Sequence, residues 1–413
     1  MDRTGTWYRY HHLLGDVLRL EAKAVIGPAD LADLHVRAGT WHHHHGNAHD
    51  AVEHYIAGGA FETAADLIYD EATELMNRGQ LRTVRDQINR LGVVADRHAG
   101  AMVVRGWISL LTGDFADARS CLANARALEP NDDVAGLIVA LAIMANVADG
   151  DVAGALAEAR LAGSPFESTQ AMTLGSAHLW GGDFDSATVL LAQAQSMAER
   201  EGNAFVETVA PIFRAIAEIE TGDRASADRH ASQALEIANV NGFSELAQTA
   251  LAHSVLARAT SVSGEAIAAA RRGVALARES PERIMLGYAL ASGGDVLCHH
   301  RNPDGEGLLH EARAIIDRCP DPGIAGRYLA LAEARHQIRA SPRPAANQLV
   351  DDLTDRELAV LRYLPSPLSQ RDIATELYVS LNTVKTHCKA IYRKLGVGDR
   401  KAAVQAARDR RIL

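Results

Sequence analysis

Residues 353–404 read LTDRELAVLRYLPSPLSQRDIATELYVSLNTVKTHCKAIYRKLGVGDRKAAV, and three short amphipathic helices can be placed in them. The first has Thr354 as N-cap and Glu357 three residues later, a capping box, followed by Leu358, Val360, Leu361 and Leu364. The second has Ser369 and Asp372 at the same offset, then Ile373, Ala374 and Leu377. The third starts at Ser380 and runs to about Leu395, where Gly396 stops it. Only Tyr378-Val379-Ser380-Leu381 join the second to the third, and so short a connection forces a sharp interhelical angle, the geometry of a helix-turn-helix.

The third helix carries the chemistry. Val384, Cys388, Ile391 and Leu395 are spaced +4, +3, +4 and form one apolar stripe. Lys385, Thr386, Lys389 and Arg393 fall on another face. An apolar stripe to hold the helix on its domain, with cations opposite it, suits a helix that enters the major groove and meets phosphates and base edges.

This stretch resembles the LuxR-type helix-turn-helix. The matching residues are Leu353-Thr354, Arg356-Glu357, Val360-Leu361, Ser369-Gln370, Ile373-Ala374, Leu377, Ser380, Thr383-Val384-Lys385, His387, Ile391, Lys394-Leu395-Gly396-Val397, Arg400 and Ala403-Val404. The match departs at Pro365-Ser366-Pro367, where many members have a Gly-containing turn; proline still ends the first helix there. It covers about 50 of 413 residues. The resemblance implies base contacts from Lys385, Thr386 and Lys389, and phosphate contacts from Asn382, Thr383, Arg393 and Lys394. It also implies a fourth helix from Asp399 to about Arg411, which would complete the domain and help it bind double-stranded DNA as a homodimer.

Charge is distributed unevenly. The whole chain carries a formal −10, yet residues 351–413 hold twelve Lys+Arg against eight Asp+Glu. Four of the five lysines, Lys385, Lys389, Lys394 and Lys401, lie in that tail. A locally basic tail on an acidic body points to a local nucleic-acid footprint. Cys121, Cys298, Cys319 and Cys388 are scattered, which suggests neither a disulfide framework nor a metal site. The amino terminus, MDRTGTWYRYHH, is polar and unlike a signal peptide. The longest apolar run, Val134 to Ala148, is 15 residues, short of the roughly 20 a bilayer needs. The expectation is a cytoplasmic protein without membrane contact.

From Gly46 to about residue 340 a phrase recurs: Gly, a small polar or acidic residue, one or two more, then Ala. It appears at Gly46, Gly59, Gly113, Gly150, Gly182, Gly222 and, weakly, Gly264; the later spacings are 37, 32, 40 and 42 residues. Such periods signal a helical solenoid of the tetratricopeptide class. The glycine ends the first helix of a pair in a left-handed conformation, Asp caps the second, and Ala lets the two approach. The longer interval from Gly59 to Gly113 predicts an irregular pair.

These repeats resemble those of MalT-like regulators, and WYRYHHLLGDVLRL (7–20) is similar to the junction where that family passes from its ATPase into its helical half. The resemblance implies an inducer-sensing role for the solenoid. No GxxxxGK[ST] and no Gly-Lys pair occurs, so no phosphate loop can be assembled and ATP hydrolysis is not expected. The ATPase module is then lost, carried on a separate chain, or encoded upstream of this start.

His42 to His45 point about 100° apart on a helix and cannot all ligate one ion, although His45 with His49, or His42 with His45, could share a face; they read as solvent-facing, and no metal is expected. Trp107, Trp180, Phe184, Phe213 and Tyr288 are the aromatic candidates for a ligand surface, though most sit at core spacing. No GxSxG, HExxH or paired-carboxylate loop is present, and neither catalysis nor a cofactor is expected.

The chain thus reads as all-α: a helical junction (1–40), a tetratricopeptide-like solenoid (41–340), a Pro-containing linker (341–350) and a four-helix LuxR-type domain (351–413). The expected function is sequence-specific transcription regulation, with a small-molecule or protein effector on the solenoid. The alternative is a solenoid adaptor with a non-functional helix-turn-helix, and the intact Thr383-Val384-Lys385, Lys389 and Arg393 face favours the first.

Overall fold

The structure is a computed structural model that describes residues 12–77, 81–128, 130–338, 355–366, 368–377, 381–395, 397 and 399–409. They fall into two compact units, Met1–Ile338 and Arg339–Leu413. Twenty-two α-helices and no strands occur among the described residues. The first unit holds α1 (His12–Val25), α2 (Pro28–His44), α3 (Ala48–Ala57), α4 (Phe61–Asn77), α5 (Leu81–Leu91), a 3₁₀ turn (Gly92–Arg97), α6 (Ala99–Leu111), α7 (Phe115–Ala127), α8 (Asp132–Asp149) and α9 (Val152–Ala159). It continues with α10 (Ser168–Gly181), α11 (Phe184–Glu201), α12 (Ala204–Thr221), α13 (Arg224–Val240), α14 (Thr249–Ala259), α15 (Ser263–Ala277), α16 (Arg283–His299), α17 (Asp304–Ile316) and α18 (Gly323–His336). The second unit holds α19 (Asp355–Tyr363), α20 (Gln370–Glu376), α21 (Leu381–Leu395) and α22 (Arg400–Asp409).

In the first unit consecutive helices pack as pairs, α6 with α7 through α16 with α17, and the first helices of successive pairs also pack on one another, α6 on α8 through α14 on α16. This is a tetratricopeptide-like solenoid. The repeated phrase does locally what its residues suggest. Gly113, Gly150, Gly182 and Gly222 take φ of +78°, +74°, +88° and +92°. The Asp that follows each glycine accepts the backbone N–H three residues on, as Asp114 does from Asp117 and Asp223 from Ser226. Ala118, Ala155, Ala187 and Ala227 are buried where paired helices touch.

Three expectations are corrected. Gly264 lies inside α15 and ends no helix; the preceding turn is made by Thr260 to Val262, where the Thr260 hydroxyl accepts the Val262 N–H. The boundary at residue 40 falls within α2, which packs against α3, so the first solenoid pair begins at Pro28. Of the helix placed over Trp7–Leu20, residues 7–11 lie outside the described part, and α1 continues to Val25. The irregular interval is real: the 3₁₀ turn Gly92–Arg97 intervenes between α5 and α6.

The solenoid also meets itself. Helix α18 packs on α10, and α16 on α8, pairs far apart in sequence. At the contact the Val152 N–H donates to the Asp321 carbonyl at 3.0 Å and the Asp321 N–H to the Gly150 carbonyl at 2.9 Å, a short parallel bridge. Arg327 reaches the Gly181 carbonyl at 3.0 Å. Trp180, Tyr288 and Tyr328 are buried there and touch in sequence, Trp180 edge-on to Tyr288 and Tyr288 tilted against Tyr328. The Trp180 Nε1 has no hydrogen-bond partner, but the charged groups enclosed beside the two tyrosines are paired. The Arg258 guanidinium donates to Glu220 and lies 4.2 Å over the Tyr328 ring, and Tyr288 donates to Glu220 at 2.6 Å. Asp295 accepts Tyr328 at 2.6 Å and His336 at 2.8 Å, and also Arg335.

Candidate nucleic-acid interface

The second unit is built around an apolar centre to which each of its helices contributes. Val360, Leu361 and Leu364 from α19, Ile373 and Ala374 from α20, and Ala403 and Ala407 from α22 enclose Val384, Cys388, Ile391 and Leu395 of α21. Those four are at most 2% exposed, so the apolar stripe of the third helix is the face that packs. Burial raises the Cys388 thiol pKa, as it does for a packed side chain rather than a reactive one.

Local chemistry sets the helix ends. Ser369 and Asp372 form the reciprocal capping box: the Ser369 N–H donates to the Asp372 carboxylate at 2.9 Å, and the Asp372 N–H to the Ser369 hydroxyl at 3.2 Å. Hydrogen bonding by Ser369 holds the Asp372 carboxyl below its ordinary pKa. Asp399 caps α22 by accepting the Ala402 N–H at 2.8 Å. Thr354, Pro367, Ser380 and Gly396, to which cap, turn and stop roles were assigned, lie outside the described residues.

Two tertiary contacts were not legible in the sequence. Arg400 inserts into the end of α19 and the loop after it, donating to the carbonyls of Leu364 at 2.9 Å, Leu368 at 2.7 Å and Ser366 at 2.7 Å. It satisfies carbonyls that a helix terminus leaves unpaired and that a proline-containing loop cannot answer from its own N–H groups. Lys394 donates to Glu357 at 2.7 Å, and Glu357 is only 5% exposed. Lys394 therefore ties α21 to α19, and its charge is already met by a buried carboxylate.

Lys385 and Lys389 are both exposed, one helical turn apart, on α21. The structure places them together away from the Val384–Leu395 stripe. The side chains of Asn382, Thr383, Thr386 and Arg393 lie outside the described part.

In the solenoid, His35, His42 and His54 cluster, with 3.0 Å between the Nδ1 atoms of His35 and His54 and the His42 and His54 rings stacked at 5.2 Å. Burial and the two neighbouring imidazoles lower the His54 pKa. His45 stacks on Trp41 at 4.1 Å. Among the described residues no group of three or more His, Cys, Asp or Glu is arranged to hold a metal ion. Of the five aromatic candidates, Trp180, Phe213 and Tyr288 are core; Trp107 instead lines a cavity in the solenoid. Among the described residues no helix is long and apolar enough to cross a membrane.

Comparison with known proteins separates the two units. Residues 351–407 match GerE, the luxR family of bacterial regulatory proteins. Among solved structures the chain is similar to a signal transduction ATPase with numerous domains that carries a tetratricopeptide repeat sensor, from Pyrococcus horikoshii. That likeness has 12% identity and a TM-score of 0.51, over 82% of this chain and 56% of the other. The chain thus spans little more than half of that protein's length, and the likeness is one of fold alone. The apo form of RapI aligns at 11% identity with a TM-score of 0.40, over 84% of this chain and 98% of the other. Residues 351–407 thus match the helix-turn-helix domain of the luxR family of regulatory proteins, and they follow a tetratricopeptide-like solenoid in the chain.

Proposed function

We propose that this protein is a sequence-specific transcription regulator that binds double-stranded DNA through α21, with the solenoid as its sensing half. The observation that carries the reading is the two-sidedness of α21: Val384, Cys388, Ile391 and Leu395 are buried, while Lys385 and Lys389 are exposed. Lys385, Thr386 and Lys389 are assigned to base edges, and Asn382, Thr383 and Arg393 to phosphates. Lys394 is assigned a phosphate contact of lesser weight, because Glu357 already compensates its charge. One such helix reads a half-site, so the chain is proposed to bind as a homodimer.

Gel shifts on a selected site and a scrambled one test this. Lys389→Ala weakens binding to the selected site by about 1–3 kcal/mol, and Arg393→Ala weakens both DNAs alike. Equal losses on both DNAs for Lys389→Ala would remove its base-reading role. A strictly 1:1 high-affinity complex in sedimentation would remove the dimer.

A further inference from the structure

The solenoid holds a cavity of about 490 Å³ lined from α4, α6, α10 and α12, of the size that small-molecule sites have. Four rings line it: Tyr69, Trp107, Phe205 and Phe243. Two carboxylates, Asp70 and Glu167, line it as well, and among the described lining residues none is Lys, Arg or His. Rings with carboxylates and no cation form a surface of one sign, since ring faces and carboxylates both attract positive charge.

Glu167 marks where that charge would sit. Its Oε1 is buried and has no hydrogen-bond partner. A buried acceptor left unmet is costly, and a ligand donor relieves the cost. The neighbouring Glu201 is differently placed: both its oxygens accept the Ser168 N–H at 3.1 Å. Burial, with the negative charges of Glu201 and Asp133 adding to it, pushes the Glu167 carboxyl up to about 7. Burial, with Glu167, Asp133 and Asp70 adding to it, pushes the Tyr69 hydroxyl up to about 12, so Tyr69 stays protonated at neutral pH.

We infer that this cavity binds a small organic cation, an amine on an apolar or aromatic body, with the ammonium group on the Glu167 carboxylate and the body against Trp107 and its neighbouring rings. The inference deepens the sensing role proposed for the solenoid. It rests on that role only for what occupancy does to DNA affinity; binding itself is measured without DNA, so the two can fail separately.

Three probes with one apolar body and three charges test it by calorimetry on the full chain: 2-phenylethylamine, 2-phenylethanol and 3-phenylpropionate. The amine binds about tenfold or more tightly than the alcohol, since a charge-assisted bond to a buried carboxylate is worth at least that, and the carboxylate probe binds most weakly. Amine affinity rises from pH 6 to pH 8 as Glu167 ionises, then levels off, and alcohol affinity stays flat. Glu167→Gln brings the amine down to the level of the alcohol and abolishes the pH dependence. Asp70→Asn, an exposed position in α4, gives a second and smaller loss of amine affinity should Glu167→Gln not fold. Equal binding of amine and alcohol, tightest binding of the carboxylate probe, or no binding of the amine at millimolar concentration overturns the inference.

Discussion

Closure of the solenoid on itself is open to a direct test with two glycines. Gly222 and Gly323 both have positive φ, +92° and +50°. A Cβ at Gly222 would meet nothing within 4 Å, so Gly222→Ala costs only the backbone term, about 1 kcal/mol. A Cβ at Gly323 would lie 2.1 Å from the Trp180 carbonyl oxygen and 3.0 Å from Val152 Cγ2. The carbonyl is backbone and cannot swing aside, so α18 must shift off α10. That shift opens the Asp321–Val152 bridge and loosens the contacts of Ile324, Tyr328 and Leu329, now at most 5% exposed. A buried side chain of this size contributes about 1.5–3 kcal/mol, so a partial loss across three of them, added to the backbone term, gives about 3–5 kcal/mol. A solenoid need not unfold in one step, so amide hydrogen exchange over residues 323–336 is the appropriate assay, with urea unfolding beside it. Gly323→Ala should unprotect α18 while Gly222→Ala leaves it protected. Equal losses of stability from the two substitutions, or unchanged protection of α18 in Gly323→Ala, would refute the reasoning.

Other outcomes follow from single contacts. Arg400→Ala strips the carbonyls of Leu364, Ser366 and Leu368 of their donor and should destabilise the helix-turn-helix unit by about 2–3 kcal/mol, seen as faster exchange at the end of α19 with the solenoid unaffected. Burial alone would raise the Asp295 carboxyl pKa, but hydrogen bonds from Tyr328, Arg335 and His336 outweigh it and hold it below the ordinary value. Its contribution is therefore complete above the unfolded value near 3.8 and is lost as pH falls through the lower folded value. Asp295→Ala should cost about 3 kcal/mol at pH 7, with the difference from wild type shrinking in acid; a pH-independent difference would count against this account. Burial pushes the Cys121 thiol up to about 12 and the Cys319 thiol to about 11, so iodoacetamide at pH 8 should spare both in the native chain and label them on unfolding; equal rates in the two states would count against their burial.

The sequence alone determined whatever depends on neighbours a few residues apart. The stripe Val384, Cys388, Ile391, Leu395 repeats at helical spacing, so its burial could be read from one helix. The Ser369–Asp372 box and the Gly-Asp phrases at 113, 150, 182 and 222 are closed by backbone groups within three residues, so their chemistry is also local. Gly264 misled because the phrase matched without the left-handed turn that gives it meaning.

Only the tertiary structure decided how distant residues spend their charge and space. Nothing local couples Lys394 to Glu357, 37 positions away, or Arg400 to the end of α19. Nor does a pairwise repeat state how tightly the pairs curve, and that curvature sets both the α18–α10 contact and the cavity that Trp107 lines. The physical reason is that caps and stripes follow from backbone geometry over one or two turns. Curvature instead sums small rotations from every pair in the stack, and no single segment encodes that sum.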